Sequence, residues 1–420
     1  MATNAEDSRI VTLDVVRGFA VMGILAMNIV AFAMPFPAYT NPAAYGGDTG
    51  IDLVSWFLNF VLIDGKMRGL FSMMFGASTL LVIDRATRSG KGGAGPHYAR
   101  MVVLLGFGLL HFYFLWFGDI LALYALCGMI LYFFRNKAPK SLVRWGVAFM
   151  AISMLFFGLI AWTAMIAGSP NLDRRTATEL MEARRTVEKE VGATSPKIAG
   201  DLKLYKSDYP TIVRSRLVDR TVEPFASIMT FGFETLALMF FGMALFKTGF
   251  FTGSWDEARY RRWAIRGALI AIPPLAALGW WIVRTGFDPA WIFGSFISFT
   301  APFDTVMAIV WAALVILWVK RGGVPALKER VGAAGRMAFT NYLATSIVMT
   351  TIFYGYGLNL FGEVGRAALW LFVLGMCGLM LLWSKPWLER FHYGPLEWVW
   401  RTLARGKLQP MRKAGRLAAA

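Results

Sequence analysis

The chain is short of the residues that make a water-facing surface. Of its 420 residues only 16% are charged, whereas a soluble domain carries roughly 25%. Cysteine is scarcer still. Cys127 and Cys377 are the only two, each inside an apolar run, so neither a disulfide framework nor a metal cluster can be built from them. Phosphate-cradling glycine loops, HExxH, CxxC and GxSxG are all missing. The run GKGGAG at 90–95 is a flexible basic loop and no more. Disorder, a collagen-like repeat, a disulfide scaffold and a nucleic-acid-binding domain are excluded as the main architecture, and no metal is expected.

Hydrophobic residues are abundant instead: 57% of the chain, with 34 Phe and 16 Trp. They fall in runs near the ~20 residues needed to cross a bilayer. The fold expected is all-α: a polytopic membrane bundle of about ten helices at 16–36, 68–85, 101–117, 119–135, 143–168, 224–247, 264–283, 296–319, 337–357 and 367–387. The apolar stretch 51–63 is short and reads as interfacial or re-entrant, and would make eleven spans if it crossed. Ala31-Phe32-Ala33 resembles a signal-peptidase site. The polar Asn28 inside the run, and the equal hydrophobicity of everything after it, favour an uncleaved first helix.

Ten spans sort the 43 Lys and Arg sharply: 28 fall in one set of connections, including the loop at Lys91 and the tail at Arg405, and only Lys66, Arg68, Arg284 and Arg366 in the other short ones. The positive-inside rule then places both termini in the cytoplasm, in a bacterial inner membrane. The net charge of +17 is therefore a topology signal rather than a nucleic-acid footprint. Four segments follow: a membrane half at 1–168, an outer helical cap at 169–223 with an amphipathic helix over 171–191, a second membrane half at 224–392, and a basic tail at 393–420 whose stretch 397–405 lies along the inner surface.

Ionisable and amide groups at membrane depth are costly, and each is a candidate for function. Arg17 to Asn28 and Arg100 to His111 are both eleven residues, about 16 Å of helix on one face. Glu234 lies ten residues in from Pro224. Asn28, His111 and Glu234 thus approach the midplane, with Arg17 and Arg100 at the inner edge. Each also has a structural reading: helix-to-helix hydrogen bonding for Asn28 and His111, a protonated buried acid with a structural partner for Glu234, snorkelling beside Asp14 for Arg17. Asp64, Lys66 and Arg68 with Asp119 form an outer cluster, either a self-balancing ion-pair lock or the lining for an acceptor. Asp304 is a weaker member. His97 and His392 read as solvated loop residues, and Pro273-Pro274 as a mark of a broken helix.

Several strings taken together resemble a known family. Leu13-Asp14-Val15-Val16-Arg17-Gly18 running on to Asn28, Asp64-Gly65-Lys66-Met67-Arg68 with Phe75-Gly76, Leu110-His111 with Trp116-Phe117-Gly118-Asp119, Gly335-Arg336-Met337-Ala338-Phe339-Thr340-Asn341, and Gly394-Pro395-Leu396-Glu397-Trp398 resemble the YeiB-like bacterial membrane proteins in order along the chain. That family is similar to the transmembrane acyltransferases typified by heparan-alpha-glucosaminide N-acetyltransferase. The resemblance implies acyl-CoA, acetyl-CoA in particular, as a cytosolic donor and a functional asparagine at Asn28. The relative's histidine eleven residues after that asparagine is Tyr39 here.

The function expected is acyl transfer from cytosolic acyl-CoA to an acceptor in or across the membrane. His111 is the base and Asn28 an oxyanion donor, with Glu234 and Asp119 next as acid–base groups. Arg17, Arg100 and Arg336 hold the CoA phosphates, with Asn341 beside them, and Asp64, Lys66 and Arg68 line the acceptor side. Partners would be membrane lipids and a small-molecule, glycan or lipid acceptor. A homodimer is an allowed assembly, and nucleic acid is not a partner. A transporter of a small amphipathic or anionic solute and a non-catalytic lipid-binding protein are the alternatives.

Overall fold

A computed structural model describes residues 10–90, 92–167 and 174–413. Lys91, residues 171–173 of the amphipathic helix and the ends of the two terminal segments lie outside them. Regular structure among the described residues is helical apart from one isolated bridge, Phe391 to Arg412. The helices are α1 (Val11–Ala33), α2 (Gly50–Leu62), α3 (Lys66–Arg88), α4 (Ala94–Leu110), α5 (Leu121–Leu131), α6 (Pro139–Ile166), α7 (Arg174–Val191), α8 (Lys197–Tyr205), α9 (Tyr209–Val218), α10 (Glu223–Lys247), α11 (Glu257–Arg284), α12 (Pro289–Gly294), α13 (Ala301–Lys320), α14 (Pro325–Arg336), α15 (Ala338–Phe353), α16 (Leu369–Arg390) and α17 (Pro395–Arg405). The chain is an α-helical multi-pass bundle. Eight segments are long and apolar enough to cross a membrane when α2 and α3 are taken together.

A helix stands at each of the ten spans expected, but two are short. Leu121–Phe134 and Ala338–Phe353 have 14 and 16 residues, about 21 and 24 Å against a hydrocarbon core of ~30 Å. Irregular backbone at membrane depth is tolerated only where protein or a cavity surrounds it. The stretch 116–120 between α4 and α5 meets that condition by lining a cavity. Helix α2 reaches Trp370 and Ala367 beside the start of α16 through Ser55 and Asp52, and packs on α11. With 13 residues it is too short to cross a bilayer alone, and its last carbonyl, that of Leu62, accepts from Trp311 midway along α13.

Close backbone approaches fix the bundle. A Cβ on Gly18 would sit 2.0 Å from the Val331 carbonyl oxygen, and one on Gly335 would sit 1.9 Å from that of Asp14, so α1 and α14 touch through glycine. Helices α3 and α10 do the same at Gly76 and Gly242. Without a hydrophobic drive between helices in lipid, such small-residue crossings are a main source of packing energy. The glycines of the Arg17-Gly18 and Gly335-Arg336 strings have this cause.

Loops on each side bond their own kind. Lys247 Nζ reaches the Arg135 and Lys137 carbonyls, and Thr12 reaches that of Phe251. At the opposite end Gly362 N–H bonds the Ala33 carbonyl and Gly355 N–H that of Tyr205. The cap helices α7–α9 are tied there as well. Asn41 donates to the Val191 carbonyl at 2.8 Å, the Phe36 amide to Asp201 at 2.8 Å, and Arg184 pairs with Asp288 at 2.5 Å.

Two local expectations need correction. His97 is buried, 1% exposed, with Nε2 2.9 Å from the Gly128 carbonyl, because α4 begins at Ala94 and carries it into the bundle. Helix α11 is unbroken through Pro273 and Pro274. His392 is exposed.

Candidate functional site

Beneath the cap lies a cavity of about 850 Å³. Residues from α1, α3, α10 and the 116–120 stretch form its walls, and Glu190, Lys197, Asp201 and Arg220 of the cap region form its roof. Asn28, Asp64, Lys66, Arg68, Asp119 and Asp304 all face it. The outer cluster and the midplane asparagine therefore share one space. Its opposite wall is aromatic, with Phe157, Phe231, Phe293 and Phe296.

The outer cluster does not balance itself. Residues two apart on a helix do not face each other, and the partners come from other helices. Lys66, 1% exposed, pairs with Asp304 at 2.7 Å and also donates to the Phe60 carbonyl. Arg68 makes two 2.9 Å hydrogen bonds to the Glu234 carboxylate. Glu234 is thus the ion-pair partner of Arg68. Asp64 accepts from Asn59 at 3.2 Å, beside the positive φ of Gly65 that turns the chain into α3. Six carboxylates line the cavity (Asp64, Asp119, Glu190, Asp201, Glu223, Asp304) against four cations (Lys66, Arg68, Lys197, Arg220).

His111 is buried behind the cavity wall, not on it. Its Nδ1 lies 2.8 Å from Asp119 Oδ1, and its Nε2 lies 2.8 Å from Ser346 Oγ on α15. A wide turn over His111–Leu115, in which Trp116 N–H bonds the His111 carbonyl five residues back, sets this register. Such turns mark functional sites often. The second carboxylate oxygen of Asp119 accepts the Ala122 N–H at 2.8 Å and caps α5. Asn28 and Ser346 line a second void of about 10 Å³ together with Trp116 and Tyr342. Asn28 lines this void beside Ser346, and His111 bonds Ser346 without lining either cavity. No hydrogen-bond partner meets the Asn28 amide among the described residues. Ser346 escaped sequence reading, since one hydroxyl in an apolar helix carries no distinguishing signal.

The proposed CoA residues lie elsewhere. Arg17 bonds Ser78 at 2.9 Å and Asp14 at 3.4 Å. Arg100 stacks 4.4 Å over the Trp400 ring and stands near Arg17, Arg401 and Arg405. These four form a basic group where the N-terminal parts of α1 and α4 meet α17. Arg336 reaches the His392 carbonyl. Asn341 is fully buried, its amide bonding the Ala334 carbonyl and Ser384 and accepting from Trp383. It holds α14, α15 and α16 together and faces neither cavity.

Comparison with known proteins follows the same segments. Residues 245–407 match the model of a domain described as a protein of unknown function, DUF418. The protein called uncharacterized protein YeiB from Escherichia coli (strain K12) is 30% identical over 405 residues, covering 94% of this chain and 96% of its own. Uncharacterized protein YxaH of Bacillus subtilis (strain 168) is 29% identical over 427 residues, 97% of each chain. No solved structure matches. Identity at this level along nearly the whole length, through every helix described above, makes the chain a member of the YeiB family of multi-pass membrane proteins.

Proposed function

We propose that the protein is an integral-membrane acyltransferase of the bacterial inner membrane, taking an acyl group from cytosolic acyl-CoA and giving it to an acceptor held in the cavity under the cap. The observation that carries this reading is the Asp119–His111 pair at 2.8 Å, set between the cavity and the void that holds the unpartnered Asn28 amide. A carboxylate fixes the imidazole's orientation and tautomer, leaving the other ring nitrogen to take a proton. An amide N–H without a partner is free to meet a developing oxyanion. The arginine group on the far side of Asn28 suits the phosphates of CoA, whose charge keeps it out of the bilayer core. The excess of carboxylates in the cavity favours an acceptor that is neutral or amine-bearing, such as a sugar or lipid hydroxyl, over an anion. That excess, with the unbroken α11, ranks anion transport second.

The test uses the full-length protein in lipid nanodiscs. Acetyl-CoA should be consumed with release of free thiol. His111→Ala should stop turnover and leave CoA binding in place, while Arg100→Ala and Arg17→Ala should weaken binding. Failure of any acyl-CoA to bind overturns the reading, and solute counterflow in proteoliposomes would then support transport.

A further inference from the structure

The geometry points to Ser346 as the residue that carries the acyl group, so that transfer runs in two displacements through an acyl-serine. This inference rests on the acyltransferase reading. Asp119 Oδ1, His111 and Ser346 Oγ stand in line with spacings of 2.8 and 2.8 Å, the order of carboxylate, base and nucleophile found in hydroxyl-activating sites.

The behaviour of neighbouring hydroxyls separates this from incidental packing. A serine or threonine inside a helix ordinarily satisfies itself on the carbonyl four residues back. Thr345, Thr350 and Thr351 on the same helix do so at 2.7, 2.8 and 2.7 Å. Ser346 does not. Its Oγ is 3.5 Å from the Tyr342 carbonyl and 2.8 Å from the histidine. The hydroxyl has been drawn off the helix toward a base.

Two donors border the same void. Trp116, whose buried indole Nε1–H meets no partner among the described residues, and Asn28 are both among its lining residues beside Ser346. Buried polar groups are nearly always hydrogen-bonded, so the Trp116 N–H is a donor available to a ligand oxygen. The void holds about 10 Å³, roughly the room of one water, so it must widen to admit a thioester carbonyl and cannot hold donor and acceptor at once. Acyl-CoA approaching from the arginine side and an acceptor in the outer cavity are best joined by a relay.

The steps balance. Ser346 Oγ attacks the thioester carbonyl carbon, the O–C bond forms and the C–S bond breaks. The hydroxyl proton passes to His111 Nε2 and on to the departing CoA sulfur. Charge on the carbonyl oxygen meets Trp116 Nε1–H and the Asn28 amide. In the second displacement an acceptor hydroxyl or amine attacks the acyl carbon and its proton goes to Nε2. The C–O bond to Ser346 then breaks and Oγ recovers the proton.

The experiment incubates the full-length protein in nanodiscs with radiolabelled acetyl-CoA and no acceptor, quenches in acid and maps the label by peptide mass spectrometry. One acetyl group on the Ser346 peptide and a matching burst of CoA are expected. Ser346→Ala should lose label and at least ~10³-fold in turnover. Trp116→Phe, which keeps the ring and removes the N–H, should lose about 10²-fold. Ser346→Cys preserves the packing and should trap the acetyl as a thioester released by neutral hydroxylamine. Turnover retained in Ser346→Ala, or label on another residue, overturns the carrier role and leaves the acyltransferase reading standing. If the wild type releases no CoA from any acyl-CoA, both fall.

Discussion

Replacing Lys66 by methionine tests the electrostatics of the cavity most directly. Lys66 is 1% exposed and 2.7 Å from Asp304. At an effective dielectric of about 20, two unit charges at that distance attract by about 6 kcal/mol. Removing one partner of a buried pair usually costs about 3–5 kcal/mol, because the other charge is left buried alone. The two single changes should differ. Lys66→Met leaves Asp304 and Asp64 facing each other without their shared cation, whose attraction both feel. Asp304→Leu leaves Lys66 with Asp64 still at hand. The lysine variant should therefore stand at the upper end of that range and the aspartate variant at the lower. The double variant, with neither charge, should lie within about 1 kcal/mol of wild type. The coupling implied is near the Coulomb value. Equilibrium unfolding in detergent micelles followed by circular dichroism reads all four proteins. Additive losses in the double variant would refute the pairing and the buried-charge reasoning with it.

Three further outcomes follow from other parts of the molecule. Gly335→Val should lower the melting temperature sharply, since its Cβ would sit 1.9 Å from the Asp14 carbonyl oxygen and overpacking costs ~1–3 kcal/mol or more, whereas Gly375→Ala, whose Cβ meets nothing within 4 Å, should be silent. Burial pushes the Asp201 carboxyl above its ordinary range although the Phe36 amide pulls the other way. The protonated form is then favoured while α8 is packed in place, so that packing is most stable in acid and weakens as pH rises through the raised value. Amide protection factors across α8, with the intrinsic pH dependence of exchange divided out, should rise on acidification in the wild type and lose that dependence in Asp201→Asn. For orientation, Lys189→Cys should be labelled by an impermeant reagent outside intact cells and Arg88→Cys should be spared. Labelling of position 88 would reverse the charge-based topology.

What could be read from the sequence and what could not divide along physical lines. Depth along a helix is local arithmetic, so the sequence places Asn28 and His111 at one level, whereas the two glycine-bearing strings stand out only through the family resemblance. Azimuth between helices is set by long-range packing, and Arg68 to Glu234 or Lys66 to Asp304 could not be read from i, i+2 neighbours in DGKMR. Asp119 was seen, but its bond to His111 depends on the wide turn at 111–115, which has no sequence period. His97 was misplaced because a glycine-rich run hides where α4 starts. Asn341 was drawn toward the donor site by its motif, while its amide is spent holding three helices.

The partnership between His111 and Ser346 also bears on how the protein is made. The two residues stand 235 positions apart. At about 5–20 residues per second, a ribosome would take roughly 10–50 s to supply the serine after the histidine has entered the membrane. Through that interval the nascent chain holds base, carboxylate and asparagine without a nucleophile. Helix α1 meanwhile waits with its Gly18 face unmatched, since α14 arrives late as well. An interrupted chain therefore lacks Ser346, and under the proposed chemistry it could form no acyl-serine until α15 is in place. Quality control of such a chain can rest on whether α14 and α15 have docked.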